Sequence, residues 1–395
     1  MPFAVYLLGL AVFAQGTSEF MLSGLLPDVA GDLGVSVPAA GALTSAFAVG
    51  MIVGAPVMGM LGMRWPRRRA LAAFLAAFVV VHAVGAVTTD FGVLLATRFL
   101  GAVANAGFLA VGLAAATAMA GPKAEGRAAS VLLGGITLAC VAGVPAGALL
   151  GQWWGWRSAF WAVVLVSLPA VLAVLRSVPE SPRGEESPSV RRELAALRRP
   201  RPLMTLLVAA LVNGGTFCAF TYLAPIVTHV GGFGEGWVPV VLALFGLGSF
   251  AGVTIGGRTA DARPMALLVP GGLALAVGWA LFAVTAGSPV AALALVLVQG
   301  TLSFAVGSTL VAQVLRTAAE APHLGGAAAT CAFNVGAAIG PLLGGLTLDA
   351  GLGYRSPLGV SALLVAAACA TGCTAHAVRR IRKRAAAPEE ERAAA

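Results

Sequence analysis

Apolar residues gather into long runs along the chain, broken by short stretches bearing Gly, Pro or charge. Twelve runs have the length of a membrane-crossing helix, about 20 residues at roughly 1.5 Å rise each. They cover approximately residues 3–26, 38–62, 70–88, 91–119, 128–151, 157–176, 203–228, 237–257, 265–286, 288–315, 325–348 and 357–377. The bilayer core holds no water for backbone groups, so runs of this length are expected as helices. The pattern predicts an all-α polytopic membrane protein with twelve transmembrane helices.

One break differs from the others. Residues 177–202 are charged and Pro-rich, and ELAALRR within them is expected as a short surface helix. This stretch divides the chain into a six-helix bundle at 1–176, a linker at 177–202, a second bundle at 203–377 and a tail at 378–395. The two bundles repeat at one offset. Gly155-Trp156-Arg157-Ser158 recurs 198 residues on as Gly353-Tyr354-Arg355-Ser356, Gly59 pairs with Gly257, and Pro27 with Pro225. Two related bundles can rock about a site at their interface, which is the architecture of a transporter.

Composition narrows the class. Hydrophobic residues make up 59% and charged residues 10% of the chain, against about 25% charged in soluble domains. That excludes a soluble enzyme, a disordered chain and a disulfide scaffold. The formal charge of +9 invites a nucleic-acid reading, but 22 of the 25 Lys and Arg fall in alternate loops and the tail. Such alternation is the positive-inside pattern, and it places both termini in the cytoplasm of a plasma-membrane protein, with no nucleic-acid partner. The N-terminus has no basic residue before Arg64 and reads as a retained first helix. The five cysteines all lie in apolar stretches, so neither a disulfide framework nor a metal site is expected.

Several motifs resemble the major facilitator superfamily, specifically its twelve-helix drug:proton antiporters. FAQGTSEFMLSGLLPD (13–28), GVPAGALLG (143–151) and GWRSAFWAVVL (155–165) are most similar to actinobacterial chloramphenicol exporters. The loop after span 2 carries Arg64, Arg68 and Arg69 of the family's gating motif. Met63 stands there in place of its acid, and Pro66 in place of a Gly. The second-half copy keeps Arg258 and the acid Asp261. Span 4 has the family's membrane arginine as Arg98. Span 5 has Gly143, Pro145 and Gly147 of the antiporter motif, with Pro displaced by one, and span 11 has Gly340 and Pro341. Small residues every four positions let helices approach closely, and Pro loosens a turn.

Glu19 and Arg98 are the clearly intramembrane charges, and burying such a group unpaired costs about 2.5–3.5 kcal/mol. Their depths match, and in the resembled fold spans 1 and 4 line the central cavity, so the two are expected to sense each other. Glu19 is the candidate proton carrier, with Arg98 as its modulator: hydration and pairing change as the cavity opens to either side, so a proton loads and leaves. Gln15, Asn105, Asn213, Phe217, Gln299, Phe304 and Asn334 are candidate substrate contacts, because amides beside rings in an apolar cavity suit a neutral, ring-bearing ligand. His82 reads as structural. Arg157 and Arg355 read as interfacial anchors, and Asp28, Asp32 and Glu235 as solvated rim charges.

The resulting expectation is a monomeric, proton-coupled exporter of small hydrophobic antibiotics working by alternating access. It uses no cofactor and no catalytic residues; no G-x-x-x-x-G-K-[ST] sequence is present. The alternatives are a sugar or metabolite permease of the same superfamily, a membrane enzyme, and a non-transporting receptor or scaffold.

Overall fold

The computed structural model describes residues 2–120, 124–178, 190–259, 264–321 and 324–386; at 59–64 and 375–386, among others, only the backbone is described. Among the described residues every regular element is helical. Twelve helices are long and apolar enough to cross a membrane: α1 Phe3–Gly24, α2 Val37–Met58, α3 Arg67–Val87, α4 Phe91–Ala120, α5 Ser130–Trp154 and α6 Arg157–Arg176 in the first half. The second half has α7 Pro200–Thr221, α8 Glu235–Thr259, α9 Pro264–Thr285, α10 Pro289–Thr317, α11 Leu324–Asp349 and α12 Ser356–Thr374. An even number of crossings puts the beginning of α1 and the end of α12 on the same side, here the terminus side.

The repeat extends to individual packing contacts. Gly50 and Gly54 on α2 lie against the backbone of Phe99 and Val103 on α4, and 198 residues on, Gly248 and Gly252 on α8 lie against Leu297 and Thr301 on α10. A methyl at any of the four would press on the facing helix. Small residues therefore set the interhelical distance, as expected where lipid offers no hydrophobic drive for helix association. At the turns before α6 and α12, Gly155 and Gly353 adopt φ of 80° and 76°, a region open mainly to glycine. Ser158 and Ser356 then donate to the carbonyls of Gly155 and Gly353, both at 2.7 Å.

Two helices depart from the expected continuous spans. α1 is α-helical to Phe20, then winds as a 3-10 turn over Met21–Gly24, and a separate short helix follows over Leu26–Leu33. Pro27 sits in the first turn of that helix, where its missing N–H is tolerated. α7 likewise yields at Tyr222 to the helix Leu223–His229. Leu25, Leu26, Tyr222, Leu223 and Ile226 are fully buried in one apolar cluster and close the side opposite the termini. Tyr222 donates to the Pro341 carbonyl at 2.9 Å, in space left by Gly41 and Gly345.

The halves also meet along their flanks. Ser45 on α2 donates to the Ala338 carbonyl on α11 at 2.8 Å, and Gly246 on α8 abuts Cys140 on α5. On the terminus side, the expected linker helix forms over Val190–Leu197. It is docked rather than free: Ala196 and Leu197 pack with Ala318 and Ala321. Glu193 accepts from the Leu324 N–H at 2.8 Å, which caps α11, and Arg199 pairs with Glu320.

Candidate functional site: an aromatic cavity and a buried arginine

A small cavity of about 10 Å³ lies between the halves, lined by Phe20, Cys140, Thr216, Phe217, Phe220, Phe245 and Phe304. Phe20 and Cys140 come from the first half and the rest from the second. Local backbone breaks position the first-half pair. Phe20 is the last α-helical residue before the 3-10 turn of α1. Cys140 lies in a single π turn, Ala139–Gly143. Pro145 follows that turn and has no N–H to give the preceding carbonyls, so the widened turn accommodates it.

The five phenylalanines form one contiguous array. Ring centroids are 5.8 Å apart for Phe20–Phe217, 6.3 Å for Phe20–Phe220, 4.7 Å for Phe220–Phe245 and 6.2 Å for Phe245–Phe304. The lining is apolar and uncharged; the Thr216 hydroxyl donates to the Val212 carbonyl at 3.1 Å. Drug-sized ligands occupy pockets of about 300–1,000 Å³. At about 10 Å³ the gap has room for roughly one water, so a drug-sized ligand enters only when the halves part.

Arg98 is 1% exposed. It makes no ion pair with Glu19 within 4.0 Å, although the two groups lie within electrostatic reach of each other, as expected. Its guanidinium forks onto the preceding residue instead: Nη1 donates to Ser18 Oγ and Nη2 to the Ser18 carbonyl, both at 2.8 Å. Its face lies 4.5 Å from the Phe47 ring centroid, a cation–π contact strengthened by exclusion of water. Glu19 is half-buried, one residue before cavity-lining Phe20. His82, expected as an isolated structural residue, touches Ser18 Oγ through Nε2 at 2.6 Å.

Of the seven anticipated substrate contacts, Phe217 and Phe304 line the cavity. The amides are placed elsewhere. Gln299 donates to the Leu275 carbonyl on α9 at 3.0 Å, Asn213 to Phe333 on α11 at 2.6 Å, and Asn334 to Thr330 on its own helix at 3.0 Å. Asn105 reaches Met51 Sδ on α2 at 3.6 Å, and its Oδ1 is buried without a hydrogen-bond partner. Gln15 is buried with neither amide atom hydrogen-bonded. Phe20, Phe220, Phe245, Cys140 and Thr216 escaped sequence reasoning, because a Phe within an apolar helix carries no mark of which way it faces.

The motif glycines are close-approach points. A methyl on Gly143 would run into Thr17, one on Gly147 would meet Met21 Cβ at 3.4 Å, and one on Gly340 would meet the Gly214 backbone. Pro145 and Pro341 are buried within their helices. Arg68 and Arg69 open α3 after Pro66, and Arg258 is exposed near the end of α8. The side chain of Arg64, and Asp261 altogether, lie outside the described residues. At the far rim, Arg157 pairs with Asp32 at 2.5 Å and stacks on Trp156, so Asp32 is a partnered rim charge. Donation from Arg157 and Trp156 holds the Asp32 carboxyl below the usual carboxylate range. Among the described residues no cluster of His, Cys, Asp or Glu is arranged to hold a metal ion.

Comparison with known proteins agrees with this architecture. The chain is 55% identical over 371 residues to a chloramphenicol resistance protein of Streptomyces lividans, covering 93% of this chain and 95% of that one. It is 35% identical to the inner membrane transport protein YdhP of Escherichia coli K12, covering 88% and 89%. It is 29% identical to a chloramphenicol efflux pump of Mycobacterium tuberculosis, covering 87% and 86%. The fold matches the crystal structure of a bacterial homologue of the human lysosomal transporter Spinster, with a TM-score of 0.73 at 17% identity, over 93% of this chain and 95% of that one. The family model of the Major Facilitator Superfamily matches residues 8–333, and the chain, a multi-pass membrane transporter rather than an enzyme, belongs to that superfamily.

Proposed function

We propose that the protein exports small, neutral, ring-bearing antibiotics of the chloramphenicol type in exchange for protons. The observation that carries this reading is the uncharged phenylalanine cavity, whose first-half wall, Phe20, directly follows the intramembrane acid Glu19. Rings of a neutral ligand pack on the phenylalanines. The names of two relatives, a chloramphenicol resistance protein and a chloramphenicol efflux pump, support the same cargo.

In this mechanism the carrier is a monomer of the plasma membrane with both termini in the cytoplasm. Glu19 takes a proton while the cavity is open to the outside. After the halves tilt, water entering from the cytoplasm hydrates Glu19 and favours its ionised form, so the proton leaves inward, and cargo then enters beside Phe20. Exchange follows because each ligand favours a different state of the same two-state scaffold. The 1–176 and 203–377 bundles are the tilting units, and the arginines at 64, 68, 69 and 258, with Asp261, act at the cytoplasmic gate. The Gly-Pro motifs of α5 and α11 keep the helix seams tight.

The test is chloramphenicol-driven proton movement in everted vesicles. Glu19→Gln abolishes the proton signal if the reading holds, and undiminished coupling removes Glu19 from the mechanism. A susceptibility panel in a pump-deficient host tests the cargo. Resistance confined to amphenicols supports the assignment, and no change with any drug overturns it.

A further inference from the structure

The Ser18–Arg98 contact has a third member, His82 on α3, which the exchange mechanism does not use. His82 is 3% exposed. Its Nδ1 lies 2.7 Å from the Phe78 carbonyl oxygen, which only accepts, so Nδ1 carries the proton and Nε2 is bare. Nε2 lies 2.6 Å from Ser18 Oγ, so the serine hydroxyl donates its single hydrogen there. Only lone pairs then remain on Ser18 Oγ, and Arg98 Nη1 donates to them at 2.8 Å. Every hydrogen bond in the series has one consistent direction.

The site around His82 is built for an imidazole. The rings of Phe78 and Phe160 pack tilted against it, at 4.0 and 5.9 Å. On the opposite side Gly101 of α4 leaves the space: a methyl there would come within 3.3 Å of His82 Cε1. The Ser18 carbonyl that receives Arg98 Nη2 lies close to the 3-10 turn of α1, where the orderly α-helical hydrogen bonding ends.

We infer that His82 is a positioning residue of the coupling site: by orienting the Ser18 hydroxyl it keeps the Arg98 guanidinium docked on Ser18 and off the neighbouring Glu19. This rests on the reading of Glu19 as proton carrier. The ionisable groups within electrostatic reach of Glu19 are Arg98 from α4 and Cys140 from α5; His82 acts on it through Ser18 and Arg98. A buried guanidinium must find acceptors. With the Ser18 hydroxyl unfixed, the acceptor at hand is the Glu19 carboxylate one residue on. Direct pairing would hold that carboxylate ionised to lower pH, and the carrier would load fewer protons near neutrality.

The test uses purified full-length carrier in proteoliposomes, reading chloramphenicol-driven proton release as a function of pH and chloramphenicol binding at equilibrium. His82→Leu and Ser18→Ala are each expected to move the midpoint of the proton-release profile towards acid by about one pH unit or more, the size of a carboxylate–arginine contact. The double variant is expected to match the singles, because both break one series. His82→Gln, whose amide oxygen restores an acceptor for Ser18, is expected to return the midpoint close to that of the unaltered protein. Chloramphenicol affinity is expected to hold at a pH well above all the midpoints, where Glu19 is ionised in every variant, since the relay lies outside the aromatic lining. Ser18→Ala removes only one oxygen, so it decides the matter if His82→Leu does not fold. Unmoved midpoints, or additive shifts in the double variant, overturn the role of His82. Glu19→Gln, run alongside, separates the two readings: if it leaves proton release intact the proton-carrier assignment itself fails, and if it abolishes release while His82→Leu and Ser18→Ala leave the midpoint unmoved, only the relay fails.

Discussion

Gly246 on α8 is the point at which one added methyl should wedge the two halves apart. A Cβ there would lie 2.8 Å from the carbonyl carbon of Cys140 and 2.8 Å from Val141 Cα, and closer still to the Cys140 oxygen. Ordinary carbon–carbon contact is about 3.5–4.0 Å, so α5 and α8 must separate by roughly 1 Å. All three opposing atoms are backbone, which has no rotamer to swing aside. Overpacking of this kind costs about 1–3 kcal/mol. At about 1.36 kcal/mol per factor of ten, Gly246→Ala disfavours the closely packed state by roughly 5- to 150-fold. Cys140 offers a direct readout, since it lines the cavity and is 6% exposed. In a background with Cys331, Cys369 and Cys373 changed to Ser, and Cys218 fully buried, Gly246→Ala should speed labelling of Cys140 by a membrane-permeant maleimide. It should also slow drug efflux at least about fivefold, the lower bound of the same estimate. A folded, monodisperse Gly246→Ala carrier with unchanged labelling and unchanged efflux would show that the α5–α8 approach does not govern access to the cavity.

Three further outcomes follow from the same geometry. Phe245→Ala removes the ring tilted against Phe220 at 4.7 Å and edge-on to Phe304 at 6.2 Å; a ring contact with the cargo is worth about 0.5–1.5 kcal/mol, so titration calorimetry should find chloramphenicol bound up to roughly tenfold more weakly, and unchanged affinity would exclude this wall from the binding site. Glu193→Ala removes the acceptor from the α11 N-terminus, with a loss of about 1 kcal/mol by analogy with helix caps; amide hydrogen exchange at 324–327 should quicken while the aromatic cavity keeps its affinity. Asp32, held low by donation from Arg157 and Trp156, contributes stability that is present above the unfolded carboxylate pKa of about 3.9 and lost as pH falls through that range towards its lower folded value. Asp32→Asn should remove that acid-side loss of thermal stability, by under about 1 kcal/mol because the pair is partly solvated, and an unchanged acid profile would refute the linkage.

The twelve spans and the 198-residue repeat were legible because both rest on one-dimensional properties, run length and offset. Side-chain destinations were less so. Gln299 and Phe304 sit on one helix with similar apolar neighbours, yet Gln299 turns to the α9 backbone and Phe304 to the cavity. Helix rotation decides between them, and the moment of a helix buried on every side carries little information. The depth match of Glu19 and Arg98 was readable from residue counts, whereas the choice of Ser18 over Glu19 depends on where a guanidinium fork finds two acceptors 2.8 Å away. Likewise Pro145 signalled a disturbed turn, but not that the widened backbone would bring Cys140 to the cavity wall.

The repeat also exposes where the halves have parted in chemistry. At the common offset Ser18 corresponds to Thr216, Glu19 to Phe217, Phe47 to Phe245 and Arg98 to Val296. The packing glycines correspond as well, so the frame is shared and the difference lies in what it holds. Phe47 lies under the Arg98 cation; its counterpart Phe245 has Val296 at the position equivalent to that cation and packs instead against Phe220, tilted, and Phe304, edge to face. One half thus concentrates charge at the depth where the other concentrates rings. A neutral cargo seated among rings has no ionic bond to offer Glu19, and excluding water alone would hold the proton on, so in such a carrier it drives release only by shifting the halves and with them the hydration of Glu19. Phe20 stands where that shift would be felt. Its ring joins the second-half array at 5.8 and 6.3 Å, while its backbone continues directly from Glu19 at the break in α1. Coupling through that residue would be mechanical, a ring pressed by cargo moving the turn that carries the acid.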